Sequence, residues 1–288
     1  MKTRSPYDLS VIIINYNTAD LLAGCLNSVF EQSGCKFEVI VVDNASHDNS
    51  QSIVRNEFPY VKLIANESNI GFSRANNKGL EVCGGDYIYF LNPDTELRQG
   101  VFISMIEFMD SYKDIGLAGT GIVNPDGSFQ PSLETHYPGQ RHAKRELKGL
   151  RGDIAWVLGA SMIIRREIIQ ELGGFDERFF LYGEDQDLCL RVRKAGWVIG
   201  FIPDAVAVHW GAQSERDNLP VEVWKKKLDA EVLFYKKHYS KSTVAAIKRG
   251  NLLQAFWRVF TLKLTLPFCA DKHVCIRKLE KYQLLLNK

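Results

Sequence analysis

Three features of the sequence predict an α/β protein: a mostly parallel sheet covered by helices on both faces, carrying a helical basic appendage at its C-terminal end. Apolar, β-branched runs recur at 9–14, 37–42 and 87–91, as in strands buried on both faces. Stretches with helical apolar spacing lie between them, in units of the length that parallel strand–helix–strand folds use. Each run closes on polar residues, at Asn15, at Asp43 and at Asn92 to Asp94. Ligands of such sheets settle outside the carboxyl ends of the strands, so these residues are the first site candidates.

Residues 9–14 read as a fully buried parallel strand closed by Asn15-Tyr16-Asn17, and 21–30 as a helix. The second strand is 37–42, then a helix over 50–58, a short strand at 61–65, a helix over 73–82 and a strand at 87–91. After Gly100 the pattern loosens. Residues 116–123 and 156–164 have strand character, and 184–195 is a helix followed by strands at 197–202 and 206–208. The stretch 125–152 is polar and basic, with His136, Arg141, His142, Lys144 and Arg145, and reads as a mobile loop or short helix covering the site. Residues 221–239 and 252–266 have helical spacing with Lys and Arg interspersed. No internal repeat is present.

The 288 residues, 45% hydrophobic and 24% charged, suffice for one large core, or a core plus an appendage. A formal charge of +2 argues against a nucleic-acid partner. The charge is uneven, because 224–288 holds 15 Lys or Arg against 4 Asp or Glu. That tail either packs on the rest of the chain or on a second copy in a homodimer, or meets an anionic membrane surface. The six cysteines form no CxxC pair and read as reduced. With neither a signal-peptide core near residue 1 nor an apolar run of about 18 residues, the expected location is cytoplasmic, or peripheral at the inner face of the plasma membrane.

The motifs narrow the chemistry. No GxGxxG and no GxxxxGK[ST] loop occurs, which argues against a dinucleotide dehydrogenase or a P-loop NTPase. Asp43-Asn44-Ala45-Ser46 either receives a base or ribose, or caps the next helix. Asp94 in Asn92-Pro93-Asp94-Thr95 either holds Mg²⁺ or Mn²⁺ against phosphate oxygens, or belongs to an ordinary turn. Glu184, Asp185 and Asp187 crowd a helix start, where capping accounts for one or two acids. Asp187 also forms an (i, i+4) pair with Arg191. His209 gains meaning as a metal ligand if it meets Asp94.

Eight segments in order, over about 8–215, resemble the inverting family-2 glycosyltransferases of GT-A fold, rhamnosyltransferase-like branch. They are Ser10-Val-Ile-Ile-Ile-Asn-Tyr-Asn17, Val42-Asp-Asn-Ala-Ser46, Asn69-Ile-Gly-Phe-Ser-Arg-Ala-Asn-Asn-Lys-Gly79, Phe90-Leu-Asn-Pro-Asp-Thr95, Gly159-Ala-Ser-Met162, Gly173-Gly-Phe-Asp176, Tyr182-Gly-Glu-Asp-Gln-Asp-Leu188 and His209-Trp-Gly211. The resemblance implies a catalytic domain over 1–217, with a nucleotide-sugar half to about 98 and an acceptor half from 99, and the appendage at 218–288. It implies Asp185 as catalytic base with Glu184 beside it. It places Asn15, Asn17, Asp43, Asn69, Gly71, Arg74, Asn76, Asn77, Asn92 and Asp94 around the nucleotide sugar, and Trp156, Gly159 and Ala160 at the acceptor. Asp94 and His209 would hold Mg²⁺ or Mn²⁺. The first acid of the family's DxD motif is here Asn92, which predicts a lower metal affinity.

The implied reaction is sugar transfer with inversion, from dTDP-rhamnose or a UDP-sugar to a hydroxyl of a saccharide or lipid-linked saccharide in cell-surface polysaccharide synthesis. The competing functions are a non-catalytic nucleotide-sugar-binding protein and a sugar-nucleotide pyrophosphorylase. The latter needs a Gly-rich basic loop that Asn15-Tyr16-Asn17-Thr18 does not supply.

Overall fold

The computed structural model describes residues 5–211, 213, 218–269 and 271–286. In chain order its elements are β1 (Tyr7–Asn15), α1 (Ala19–Phe30), β2 (Phe37–Asp43), α2 (Ser50–Glu57), β3 (Lys62–Ala65), α3 (Phe72–Val82), β4 (Gly85–Leu91), β5 (Thr95–Leu97), α4 (Val101–Ser111), β6 (Ile115–Val123), β7 (Phe129–Gln130), β8 (Leu133–Glu134), β9 (Trp156–Val157), β10 (Ser161–Arg165), α5 (Arg166–Glu171), α6 (Glu184–Lys194), β11 (Val198–His209), α7 (Pro220–His238), α8 (Lys241–Thr265) and α9 (Lys272–Leu286). They divide into two compact units, one of 1–137 and 150–216, the other of 138–149 and 217–288. The expected boundary at 217 lies outside the described residues.

The first unit is built on one nine-stranded sheet, in the order β3-β2-β1-β4-β10-β6-β11-β5, with β7 beside β6. β1 shows why its sequence is apolar throughout. Val11 and Ile13 enter one core with Leu22 and Leu26 of α1 and Phe102 and Met105 of α4. Ile12 and Ile14 enter the opposite core with Ala75 of α3, Ile168 of α5 and Leu188 of α6. Both faces are covered, so neither calls for polar residues.

Strands β3, β2, β1 and β4 run parallel. The sheet then turns mixed, because β10 lies antiparallel between β4 and β6. The expected single strand over 156–164 is two strands. β9 pairs with β8 in a small ribbon, and a turn at 158–160 sends β10 into the large sheet. Conversely, the expected strands at 197–202 and 206–208 are one, β11, irregular between Ile202 and Val206. Pro203 falls in that irregularity, where its missing N–H leaves no ladder bond unmade.

In the second unit, 138–149 contains a short helix at Gln140–His142, one of the two forms expected for 125–152, and is bonded to the C-terminal helices. The Tyr239 hydroxyl donates to the carbonyl of Pro138 at 2.7 Å, and Glu146 accepts from the Thr243 hydroxyl at 2.6 Å. Cys269, in the segment after α8, and Cys275 of α9 form a disulfide, correcting the all-reduced expectation for this pair. The other four cysteines are free. Among the described residues no helix is long and apolar enough to cross a membrane.

Candidate active site

Parallel pairing of β1 and β2 sets Asn15 beside Asp43 at their carboxyl ends. Asn15 Nδ2 donates to Asp43 Oδ1 at 2.8 Å and to Ser46 Oγ at 3.0 Å. Asp43 Oδ2 takes the Ser46 N–H at 3.0 Å and Gln51 Nε2 at 2.8 Å. Asp43 does not cap α2, whose N-cap is Asn49; Asp48 accepts from the Ser50 N–H at 3.0 Å in the turn before it. Asp43 is fully buried and already serves three donors, so an incoming base must displace Gln51 or use the remaining lone pair of Oδ1. Asn17, at φ 54°, accepts the His47 N–H at 2.8 Å and keeps the two strand-end loops in register.

α3 begins at Gly71, whose φ of 86° and tight surroundings both require glycine. A Cβ there would lie 2.7 Å from the Phe180 ring and 2.8 Å from the Phe180 carbonyl. The Phe72 N–H donates to that same carbonyl at 2.7 Å, tying α3 to the segment that leads into α6. Gly71 also takes its place through Asn69, whose Oδ1 accepts the Gly71 N–H at 3.0 Å. Asn76 is buried with Oδ1 unpartnered. Asn77 donates to the Phe175 carbonyl at 3.0 Å and accepts its N–H at 2.8 Å, and Arg74 lies on the surface 3.3 Å from Glu177.

The β4 end carries Asp94, nearly buried, and β11 brings in His209 opposite Thr95. His209 Nε2 lies 3.4 Å from Asp94 Oδ1 and has no hydrogen-bond partner, while Nδ1 is 3.1 Å from Gln130 Oε1. An Nδ1–H donated to Gln130 leaves an Nε2 lone pair facing a carboxylate, an arrangement suited to a cation. Among the described residues no cluster of three or more His, Cys, Asp or Glu could hold a metal by itself. Asp94 and His209 thus fit a divalent ion that draws its other ligands from water and phosphate oxygens.

The turn at 158–160 joins this strand end to α6. The Asn92 N–H donates to the Ala160 carbonyl at 2.9 Å, and the Gly159 N–H points at Asp185 Oδ2 at 3.4 Å. Asp185 Oδ1 also takes the Gln186 N–H at 2.7 Å. Burial pushes the Asp185 carboxyl up to about 6, against those two N–H groups. Burial, with the Asp185 charge next, pushes Glu184 up to about 8, and its Oε2 has no partner. Burial thus raises both carboxyls, Glu184 further than Asp185. Asp187 is spent on structure, 2.8 Å from Arg191.

The sequence model of glycosyl transferase family 2 matches residues 10–173, more than half of the chain. The chain belongs to that family. An N-acetylglucosaminyl-diphospho-decaprenol L-rhamnosyltransferase of Mycobacterium tuberculosis is 27% identical over 236 residues, 72% of this chain and 77% of the relative. The fold is that of GT-A glycosyltransferases. A mannosyltransferase of Pyrobaculum calidifontis, solved with GDP-Man and Mn²⁺, superposes with a TM-score of 0.62 at 17% identity, covering 99% of this chain and 90% of that one. S. aureus TarS superposes at 0.56 with 19% identity, and the chain, covered over 84%, spans 41% of its length.

Seen as a family-2 glycosyltransferase, the chain gathers Asn15, Asp43, Asn69 and Gly71 at one set of strand ends, ties Asn92 to Ala160 by a backbone bond and sets the Gly159 N–H against the Asp185 carboxylate. Trp156 lies on β9 with its indole N–H donated to the His136 carbonyl at 3.1 Å. Two residues that touch the candidate groups went unnoticed in the sequence. Gln51 is the second residue of α2, and Gln130 sits 79 residues from its partner His209 on a two-residue strand. Neither carries a local signal.

Proposed function

We propose that this glycosyltransferase moves a sugar, rhamnose from dTDP-rhamnose in the first instance, from a nucleotide diphosphate to an acceptor hydroxyl with inversion. The observation that carries it is Asp185: a buried carboxylate at a helix start, oriented by two backbone N–H groups and basic enough to take a hydroxyl proton. Glu184, whose carboxyl burial and then the Asp185 charge push up to about 8, does not compete for that proton. A covalent intermediate on a thiol finds no support, since burial pushes the Cys25 thiol, beside Thr95, up to about 12.

Asn15, Asp43 and Asn69 orient the nucleoside end of the donor, and Asp94 and His209 would hold Mg²⁺ or Mn²⁺. That ion, when bound, offsets the negative charge growing on the leaving diphosphate. Asp185 accepts the acceptor proton while the hydroxyl oxygen attacks the anomeric carbon from the face opposite the diphosphate. Gly159 fixes the carboxylate, and burial of both acids keeps competing water away. The rhamnosyltransferase relative supports the sugar and a lipid-linked saccharide acceptor. Incubation with dTDP-rhamnose or UDP-sugars, Mn²⁺ and lipid-linked saccharides tests the reading. Transfer with inverted anomeric configuration is expected; retention would remove the single displacement, and donor binding without turnover would favour the non-catalytic binder.

A further inference from the structure

The second unit carries more charge than the whole chain suggests. Residues 138–149 and 217–288 hold 19 Lys or Arg against 7 Asp or Glu, a formal +12. The remainder holds 17 against 27, a formal −10, so the near-neutral total hides two opposite halves.

On this basic unit α8 is apolar on two sides. One side packs on α9, with Ala255 buried and Val259 and Leu262 half-buried. On the other side Leu253, Phe256, Trp257, Phe260 and Leu264 are exposed by 51–73%, and Phe268 just beyond is 88% exposed. Spacings of three and four residues put the first five on one face of the helix. The outer side of a helix that meets only water is normally polar, and a contiguous patch of this size marks an interaction surface. α8 contains no acid, and of its exposed cations Arg249 and Lys263 lie on or beside the apolar face, whereas Arg258 turns to Tyr282 of α9.

We propose that this face of α8 docks in the plane of an anionic membrane surface, with Phe256, Trp257, Phe260 and Leu264 entering the headgroup boundary and the flanking cations meeting lipid phosphates. The charge selects this occupant. A second copy packed face to face would bring +12 against +12, whereas an anionic leaflet complements it. The composition agrees, since Trp and Phe beside Lys and Arg are the side chains of interfacial helices. The patch from Leu253 to Leu264 is about 17 Å long at the helical rise, suited to lying along a surface. Docking of α8 is independent of the catalytic assignment, so its failure would leave the proposed transfer standing.

The test is co-sedimentation of the full chain with phosphatidylcholine vesicles with and without phosphatidylglycerol, alongside analytical ultracentrifugation without lipid. The protein is expected to pellet with the phosphatidylglycerol vesicles at low salt and to be released by high salt. The triple variant Phe256→Ser, Trp257→Ser, Phe260→Ser should partition about tenfold less or weaker still, with an unchanged melting temperature. A second variant, Arg249→Glu with Lys263→Glu, should weaken binding while leaving the apolar face intact. Absence of pelleting with anionic vesicles, or equal pelleting by the triple variant, overturns the proposal. So does a dimer in the absence of lipid that the triple variant converts to monomer, which would assign the face to a second copy.

Discussion

His209 Nε2 lies 3.4 Å from Asp94 Oδ1, buried and without a hydrogen-bond partner. Two acceptors face each other there unless a cation or a proton comes between them. A divalent ion would bridge the two, and it is the component to test first. EDTA is expected to abolish transfer and Mn²⁺ or Mg²⁺ to restore it. Asp94→Asn and His209→Ala should each weaken Mn²⁺ binding, read by the free-ion EPR signal in the presence of donor. Full activity in EDTA would exclude the ion.

Gln130 holds the other face of that imidazole at 3.1 Å. Loss of a group that orients a ligand histidine weakens metal binding by about 10–100-fold. Gln130→Ala is expected to fall in that range in the same EPR titration, with thermal stability maintained. An unchanged Mn²⁺ affinity would reduce Gln130 to a packing residue.

Asp185→Asn should lower kcat by about 10²–10⁴-fold while donor binding by calorimetry is retained. Wild-type kcat/KM should rise with pH through about 6, because the base works only when deprotonated and burial raises its pKa to there. A flat profile between pH 5 and 8, or normal turnover by the asparagine variant, would place the base elsewhere.

Glu184 makes a stability prediction of opposite character. Its pKa rises on folding from 4.5 to about 8, so folding favours the protonated form. Its contribution is fully present below the unfolded value and is lost as pH climbs through about 8. Glu184→Gln keeps the shape and removes the charge. The variant should melt with the wild type near pH 4.5 and progressively above it toward pH 8, by about 2 °C or more. A pH-independent difference would show that Glu184 is not buried as an acid.

Gly71→Ala should be costly for its size. The new methyl meets the Phe180 ring and carbonyl, at a φ where a side chain adds about 1–3 kcal/mol of strain. A lowered melting temperature with a raised donor KM is expected, since the contact ties α3 to the approach of α6. A silent substitution would mean the two segments move apart freely.

Most of the first half of the fold was legible, because β1, β2 and β4 are buried on both faces and α1, α2 and α3 each show one apolar face. α4 and α5 were not read. α4 follows Gly100 where the pattern loosens, and α5 is only six residues long. The carboxylates at the strand ends and at the start of α6 could be named because strand ends and helix starts are local features.

By itself the sequence determined the alternation of strand and helix, the acids at their ends, the match to family 2 and the basic character of the last 65 residues. Tertiary structure decided where 156–164 breaks, and so how Gly159 comes to orient Asp185. It decided that Gln130 reaches His209 across 79 residues, that 138–149 joins the C-terminal helices, and that α8 keeps a second apolar face in the open. The division has one physical reason. Periodicity and capping record what each segment buries along its own length, whereas the partner of a turn, an imidazole or a helix face is chosen by packing between segments far apart in the chain.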